Sequence, residues 1–180
     1  MQKIFPAFST FKYFEKFLKS DYEIGVSLET HIGQLINIKK MAEEYNKKII
    51  YHVDLIHGLK NDDYGTEYLC QEYKPFGVIS TKSNVIYTAQ KKGVMSIQRI
   101  FLLDSHAVDK SLQLVEKTKP DFIEVIPGAI PSMIAEIKER TQTKILAGGL
   151  IRNIEEVENA LSAGAKGITT SKVDIWDHFK

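Results

Sequence analysis

Two hydrophobic patterns alternate along this chain. Short runs rich in β-branched residues, typical of buried strands, are each followed by a longer stretch whose apolar residues recur at helical spacing. Their spacing suits a repeat of one strand and one helix and is too short for a two-helix repeat. The predicted strands are residues 3–5, 23–28, 49–55, 77–79, 95–98, 122–126, 145–147 and 167–170.

Local capping signals support the helices between these strands. Asn153 is suited to cap a helix over 154–163, with Glu156 in the reciprocal position of a capping box. Ser9 is suited to cap an earlier helix that buries Phe11, Phe14, Phe17 and Leu18. The chain therefore predicts a helix after each strand.

Strands separated by helices pair in parallel through right-handed crossovers. An open doubly wound sheet normally carries a glycine-rich fingerprint after its first strand, and no GxGxxG sequence is present here. A closed barrel fits the number of units better. We therefore predict an α/β fold, a small (β/α)8 or TIM barrel, formed as a single domain by residues 1–180.

Ionisable residues follow several strands at the end where barrels carry their chemistry. Side-chain alternation places Ile50, His52 and Asp54 on one face of the predicted strand 49–55. In the same way, Gly25, Ser27 and Glu29 share one face at the predicted strand 23–28. We expect both faces to point to the barrel axis. A buried structural pair of His52 with Glu29 is the alternative. As a set, these groups favour a polar ligand, because uncompensated buried charges are costly. The candidates are Glu29, Asp54, Lys82, Arg99 and Glu124.

A phosphate site is predicted near the end of the chain. Gly148 and Gly149 follow the seventh predicted strand, and Thr170 and Ser171 close the eighth. The loops after these two strands commonly bind phosphate in barrels, through backbone N–H groups. The alternative is a plain tight turn followed by a plain helix cap.

Composition narrows the class of protein only slightly. The chain of 180 residues has a formal net charge of +1, which neither attracts nor repels nucleic acid at long range. Its single cysteine, Cys70, is expected to be a small buried hydrophobic residue. We see no secretory signal and no apolar run long enough for a membrane span, so we expect a cytoplasmic protein without a membrane partner.

Five segments, in order, resemble a known family. They are residues 52–55 (HVDL), 79–82 (ISTK), 98–105 (QRIFLLDS), 121–128 (DFIEVIPG) and 147–151 (AGGLI). Together they are similar to the antiterminator regulatory proteins of the glycerol uptake operon. The similarity extends over essentially the whole chain, including Thr170, Ser171 and Trp176.

The resemblance implies a regulator rather than an enzyme. Such a protein responds to glycerol 3-phosphate and acts on the messenger RNA leader of the glycerol operon, preventing premature termination. It implies an effector ligand and no cofactor or metal. In this interpretation Gly148, Gly149, Thr170 and Ser171 hold the phosphate, while Lys82 and Arg99 add positive charge. The carboxylates Glu29, Asp54 and Glu124 accept hydrogen bonds from the glycerol hydroxyls.

Two alternatives remain open at this point. The first is an enzyme acting on a small phosphate ester, with Lys82 as a Schiff-base lysine or Glu29, His52 and Asp54 as metal ligands or acid–base groups. The second is an RNA-binding module with a vestigial pocket, although no standard RNA-binding motif is present. Small barrels often pair through exposed helices, so a homodimer is compatible with the sequence.

Overall fold

Eight parallel strands close into a barrel in the computed structural model, which describes residues 2–180. The strands are β1 (Ile4–Phe8), β2 (Ile24–Ser27), β3 (Lys48–His52), β4 (Gly77–Ser80), β5 (Met95–Phe101), β6 (Phe122–Ile126), β7 (Lys144–Gly148) and β8 (Gly167–Thr170). Each strand pairs with its neighbours in sequence, and β1 pairs with β8 to close the ring. The predicted (β/α)8 barrel is confirmed.

A helix follows every barrel strand and packs on its outer surface. These helices are α1 (Phe11–Leu18), α2 (Leu35–Glu44), α3 (Asp63–Tyr68), α4 (Ser83–Lys91), α5 (Ser105–Thr118), α6 (Pro131–Thr141), α7 (Ile154–Ser162) and α8 (Val173–His178). Beyond β2 and β3, Thr30–His31 pairs with Ile56–His57 in a two-residue parallel ribbon. Within residues 2–180, none of the helices has the length and hydropathy that crossing a bilayer would require.

The predicted strand bounds agree with the structure at two strands and differ by a few residues at the others. β6 and β8 have the predicted bounds, whereas β5 continues three residues further, to Phe101. The predicted strand over 49–55 ends at His52, because Val53–Leu55 forms a turn of 3-10 helix. This turn brings the Asp54 carboxylate to the backbone N–H of Thr81, at 2.8 Å.

The apolar residues that fill the barrel interior come from the seven strands β1 to β7. This interior cluster comprises Phe5, Ala7, Val26, Ile50, Ile79, Ile97, Phe122 and Leu146. A larger cluster fills the space between the strands and the helices. Ile50 faces the axis as predicted, and the alternation along β3 then directs His52 to the same side.

The predicted orientation of β2 is wrong. Val26, not Gly25 or Ser27, occupies the barrel interior. A Cβ built on Gly25 would lie 2.7 Å from the Phe17 ring, so Gly25 faces α1 and leaves room for that aromatic ring. Glu29, just beyond the end of β2, lies on the same outward side as Gly25. Sequence alternation alone could not choose the face, because both sets of β2 residues are compatible with burial.

The two capping predictions have different outcomes. Asn153 accepts a hydrogen bond from the Glu156 N–H at 2.9 Å, which confirms the cap of α7. The cap of α1 is Thr10 rather than Ser9, and its side chain makes no capping hydrogen bond. The predicted burial is confirmed for Phe14, Phe17 and Leu18. It is wrong for Phe11, which lies in the first turn of α1 and is 53% exposed.

Cys70 is buried, as expected, in a helical turn over Leu69–Tyr73 that extends α3. Burial raises the pKa of its thiol to about 11. The thiolate, which is the reactive form, is therefore disfavoured at neutral pH.

Substituting Gly25 tests the contact between β2 and α1. Gly25→Ala places a methyl group against the Phe17 ring, so we expect the free energy of unfolding to fall by about 1–3 kcal/mol, as for overpacked cores. Urea denaturation measures this loss. Gly33→Ala is the matched control, because the nearest atom to its new Cβ is an exposed His31 side-chain nitrogen at 3.3 Å. Equal stability of Gly25→Ala and wild type would contradict this packing.

Candidate functional site

A cavity of about 400 Å³ opens at the carboxyl ends of the strands, between the loops that follow β7 and β8. It brings together five of the predicted site residues: Arg99, Glu124, Gly149, Thr170 and Ser171. The remaining lining residues are Ala7, Leu28, Ile126, Leu150, Ile151, Arg152, Thr169 and Lys172. We call this cavity the carboxyl-end cup.

The floor of the cup is a buried ion pair. Arg99 on β5 donates from Nε to Oε2 of Glu124 on β6 at 2.6 Å, and the two residues are also paired across the strands. Their side chains are only 10% and 1% exposed. Thr169 on β8 donates its hydroxyl to Oε1 of the same carboxylate at 2.6 Å. Glu124 is thus held from two sides, and the outer guanidinium nitrogens of Arg99 make no hydrogen bond within residues 2–180.

Local geometry explains why glycine occupies positions 148 and 149, at the end of β7. A Cβ on Gly148 would lie 2.3 Å from the Thr169 hydroxyl, so any side chain here would displace the group that holds Glu124. Gly149 has φ of +67°, a left-handed conformation that favours glycine. Within residues 2–180, the N–H groups of Gly149, Leu150 and Ser171 donate to no backbone or side-chain acceptor. These donors are available to an anion.

Two cations that sequence reasoning missed also line the cup. Arg152 follows the glycine loop, and Lys172 follows Ser171. Neither side chain has an ion-pair partner within the described chain. Their positions directly after the two predicted phosphate loops were the available signal. With Arg99 they give the cup three cations against one carboxylate, an excess that favours a negatively charged ligand.

His52 is a further residue that the predicted set of ligand-binding residues left out. It is only 3% exposed, and neither ring nitrogen has a hydrogen-bond partner within residues 2–180. Burial and the positive charge of Arg99 lower the pKa of His52 to about 4, against the raising effects of Asp54 and Glu124. The ring is therefore neutral at pH 7 and keeps one donor and one acceptor unused.

Glu29 lies outside the cup. It lines a separate cavity of about 240 Å³, between α1 and α2, that also includes Phe11 and Ser27. Its carboxylate lies 2.9 Å from Nε2 of His57, and both side chains are more than half exposed. The outward face of β2 accounts for this position.

Asp54 and Lys82 also lie outside the cup. Asp54 accepts hydrogen bonds from the Ser80 hydroxyl at 2.5 Å and from the backbone N–H of Thr81 at 2.8 Å, so it holds the turn between β4 and α4. The Lys82 ammonium donates to Oδ1 of Asn61 at 2.6 Å. All five charged candidates were expected to surround one ligand, but only Arg99 and Glu124 line the cup.

The chemistry of the cup is that of a binding site for a small anion. It offers free N–H groups, hydroxyl groups and three cations, together with the apolar side chains of Ala7 and Leu28. Within the part of the chain that the structure describes, no three His, Cys, Asp or Glu side chains are grouped as a metal site would require.

Comparisons with known proteins give a consistent result. A family model described as glycerol-3-phosphate responsive antiterminator matches residues 4–176. A crystal structure titled glycerol uptake operon antiterminator regulatory protein, from Listeria monocytogenes, is 41% identical, with a TM-score of 0.96 over 98% of this chain and 95% of that chain. An antiterminator-related protein from Thermotoga maritima is 24% identical, with a TM-score of 0.86 over 98% of both chains.

A curated relative extends the comparison to a third organism. The uncharacterized protein YgcP of Escherichia coli K12 is 32% identical over 149 residues, which are 81% of this chain and 76% of that protein.

The buried, neutral His52 predicts a loss of stability in acid. Its folded pKa of about 4 lies below the unfolded value of 6.5, so the unfolded state binds the proton more readily. The contribution of His52 is complete above pH 6.5 and is lost as the pH falls towards 4, by about 3 kcal/mol. Urea unfolding at several pH values should show a shallower loss for His52→Gln than for wild type. His106→Gln, at an exposed position on α5, is the matched control, and an identical pH profile for His52→Gln would refute the assignment.

Proposed function

The chain belongs to the glycerol-3-phosphate responsive antiterminator family, and on that premise we propose that it binds glycerol 3-phosphate in the carboxyl-end cup. The same proposal makes it a cytoplasmic regulator that acts on the leader RNA of the glycerol operon. The observation that carries the proposal is the excess of cations and free N–H groups in a cavity of about 400 Å³. No cofactor is part of this proposal.

The phosphate is assigned to the outer part of the cup. The N–H groups of Gly149, Leu150 and Ser171 would donate to its oxygens, and the Ser171 hydroxyl adds a further donor. Arg152 and Lys172 balance its two negative charges, and charge-assisted hydrogen bonds of this kind are the strong ones. Thr170 contributes by position: its hydroxyl accepts the Lys172 N–H at 3.1 Å, and its carbonyl accepts the Trp176 indole N–H at 2.8 Å.

The glycerol end is assigned to the floor of the cup. The outer nitrogens of Arg99 would donate to the hydroxyl oxygens, and the remaining lone pairs of Glu124 would accept from them. The unused nitrogens of His52 offer a further donor or acceptor below this floor. In this assignment Gly148 acts by leaving space for Thr169, and Glu29, Asp54 and Lys82 have no direct contact with the ligand.

Regulation rather than catalysis is the function that the site supports. The family is one of transcription antiterminators. The barrel fold itself hosts many enzymes and does not decide the matter. Lys82, the Schiff-base lysine considered from the sequence, donates to Asn61 outside the cup and so gives no support to an aldolase mechanism. Lys172 does line the cup, and in this proposal it binds the phosphate. Incubation with phosphate esters, with and without added divalent metal, should accordingly yield no turnover.

Replacing the rim cations tests the phosphate assignment. Arg152→Ala and Lys172→Ala each remove one charge-assisted contact, worth about 1.5–3 kcal/mol, so we expect glycerol 3-phosphate to bind about 10- to 100-fold more weakly. Isothermal titration calorimetry measures the change, with glycerol and inorganic phosphate as comparison ligands. Lys110→Ala, an exposed lysine of α5, is the matched control. Unchanged affinity in both rim variants would remove the phosphate from this cup.

Lys82→Ala distinguishes the site predicted from the sequence, which includes Lys82, from the carboxyl-end cup, which does not. The sequence prediction includes Lys82 among the ligand-binding residues, whereas its hydrogen bond to Asn61 lies outside the cup. We expect the variant to bind glycerol 3-phosphate with wild-type affinity. A loss comparable to that of Arg152→Ala would show that Lys82 moves into the cup when the ligand binds.

A further inference from the structure

Lysines surround the end of the barrel opposite the cup. Seven of the eight barrel strands either begin with a lysine or follow one within three residues. Only β2, preceded by Asp21 and Glu23, departs from this pattern. Parallel strands begin at the same end, so the seven side chains share one face of the molecule. We call them the amino-end lysine ring: Lys3, Lys48, Lys74, Lys92, Lys119, Lys144 and Lys166.

Most of this positive charge is not neutralised by the protein. Of these seven lysines, only Lys92, with Glu67, and Lys48, with Glu23 at 3.9 Å, form ion pairs within residues 2–180. The chain as a whole has a formal net charge of only +1. The ring therefore separates positive charge onto one face, and such a face attracts polyanions even when the whole protein is nearly neutral.

Two adjoining clefts cross this face. The first, of about 520 Å³, is lined by Lys39, Lys47, Lys48 and Lys74, with Glu43 as its one acidic residue. The second, of about 610 Å³, includes one lysine, Lys144, and one acidic residue, Asp121, so the excess of positive charge lies in the first cleft. Both clefts include Gly93 and Met95, so they meet below the start of β5. Together they form a groove that could follow an extended strand of nucleic acid.

Aromatic rings lie beside the lysines in both clefts. Lys48 Nζ is 5.2 Å from the centre of the Phe76 ring, and Lys144 Nζ is 5.4 Å from that of Phe122. Because Phe122 is buried in the barrel interior, the rings available to bases are those of the first cleft. Tyr73 lines the first cleft, and Phe76 is partly exposed there. Proteins that bind single-stranded nucleic acid combine a basic groove for the backbone with aromatic rings on which bases stack.

From this combination we propose that the amino-end lysine ring and its groove are the surface that binds leader RNA. The inference rests on the proposed function, which supplies RNA as the partner, and adds where the RNA docks. The cup and the ring lie at opposite ends of the barrel, so glycerol 3-phosphate and RNA bind together rather than in competition. Any effect of one on the other then passes through the strands as a coupling free energy.

A purely structural role of these lysines makes a different prediction. Lysines near helix ends also stabilise the helix dipoles, and the helices end on this same face. If that were their role, neutralising them would lower the melting temperature without changing RNA affinity. The test therefore needs both measurements on the same variants.

The triple variant Lys48→Gln, Lys74→Gln, Lys144→Gln removes three charges from the groove. The matched control, Lys12→Gln, Lys60→Gln, Lys110→Gln, removes three exposed lysines from α1, the carboxyl side and α5. Fluorescence anisotropy with labelled leader RNA, at several salt concentrations and with glycerol 3-phosphate present, gives the affinity and its salt dependence. Thermal unfolding of each variant, without RNA, is measured in parallel.

We expect the triple variant to bind RNA about tenfold more weakly or worse, while the control binds like wild type. Each lost phosphate contact lowers the slope of log affinity against log salt by about 0.7, so the slope should fall by about 2. If wild type binds the RNA and the triple variant binds equally well, the docking surface is wrong while the proposed function stands. If wild type binds no leader RNA at all, with or without glycerol 3-phosphate, the proposed function and this surface both fail.

Discussion

The buried ion pair between Arg99 and Glu124 connects the fold of this protein to its proposed binding site. An ion pair inside a barrel is costly unless its geometry is good and its remaining polar atoms are satisfied. Nε of Arg99 donates to Oε2 of Glu124, and the Thr169 hydroxyl, on a third strand, donates to Oε1, so both carboxylate oxygens accept a hydrogen bond. The pair is therefore assembled only when β5, β6 and β8 are in register, and it then directs unused guanidinium nitrogens into the cup.

The loops around the cup depend on the same pair. Gly148 is a glycine because the hydroxyl that holds Glu124 occupies the space of a side chain. The following residues turn away with φ of +67° at Gly149 and +57° at Leu150, and this leaves their N–H groups free of the strand ladder. Rim cations from two loops then surround these donors. The proposed anion site thus follows from how the interior charge is packed.

The two ends of the barrel carry different charge patterns and, in our proposal, different partners. At the carboxyl end, three cations surround a cavity suited to a small phosphate ester. At the amino end, four lysines line one cleft beside Tyr73 and Phe76, and a second cleft adjoins it. A regulator requires one surface for its effector and another for its target, and a closed barrel offers two such ends joined by continuous strands.

The sequence by itself determined the repeating strand–helix order, the closed barrel and the loops that form the cup, because hydrophobic period and glycine position are local properties. It did not determine which face of β2 meets the axis, since the Phe17 ring that fills the space beside Gly25 comes from another element. For the same reason, only the tertiary structure placed Glu29, Asp54 and Lys82 outside the cup and brought Arg152 and Lys172 into it. Which charged groups converge depends on strand orientation and loop path, and both are decided by contacts between residues far apart in the chain.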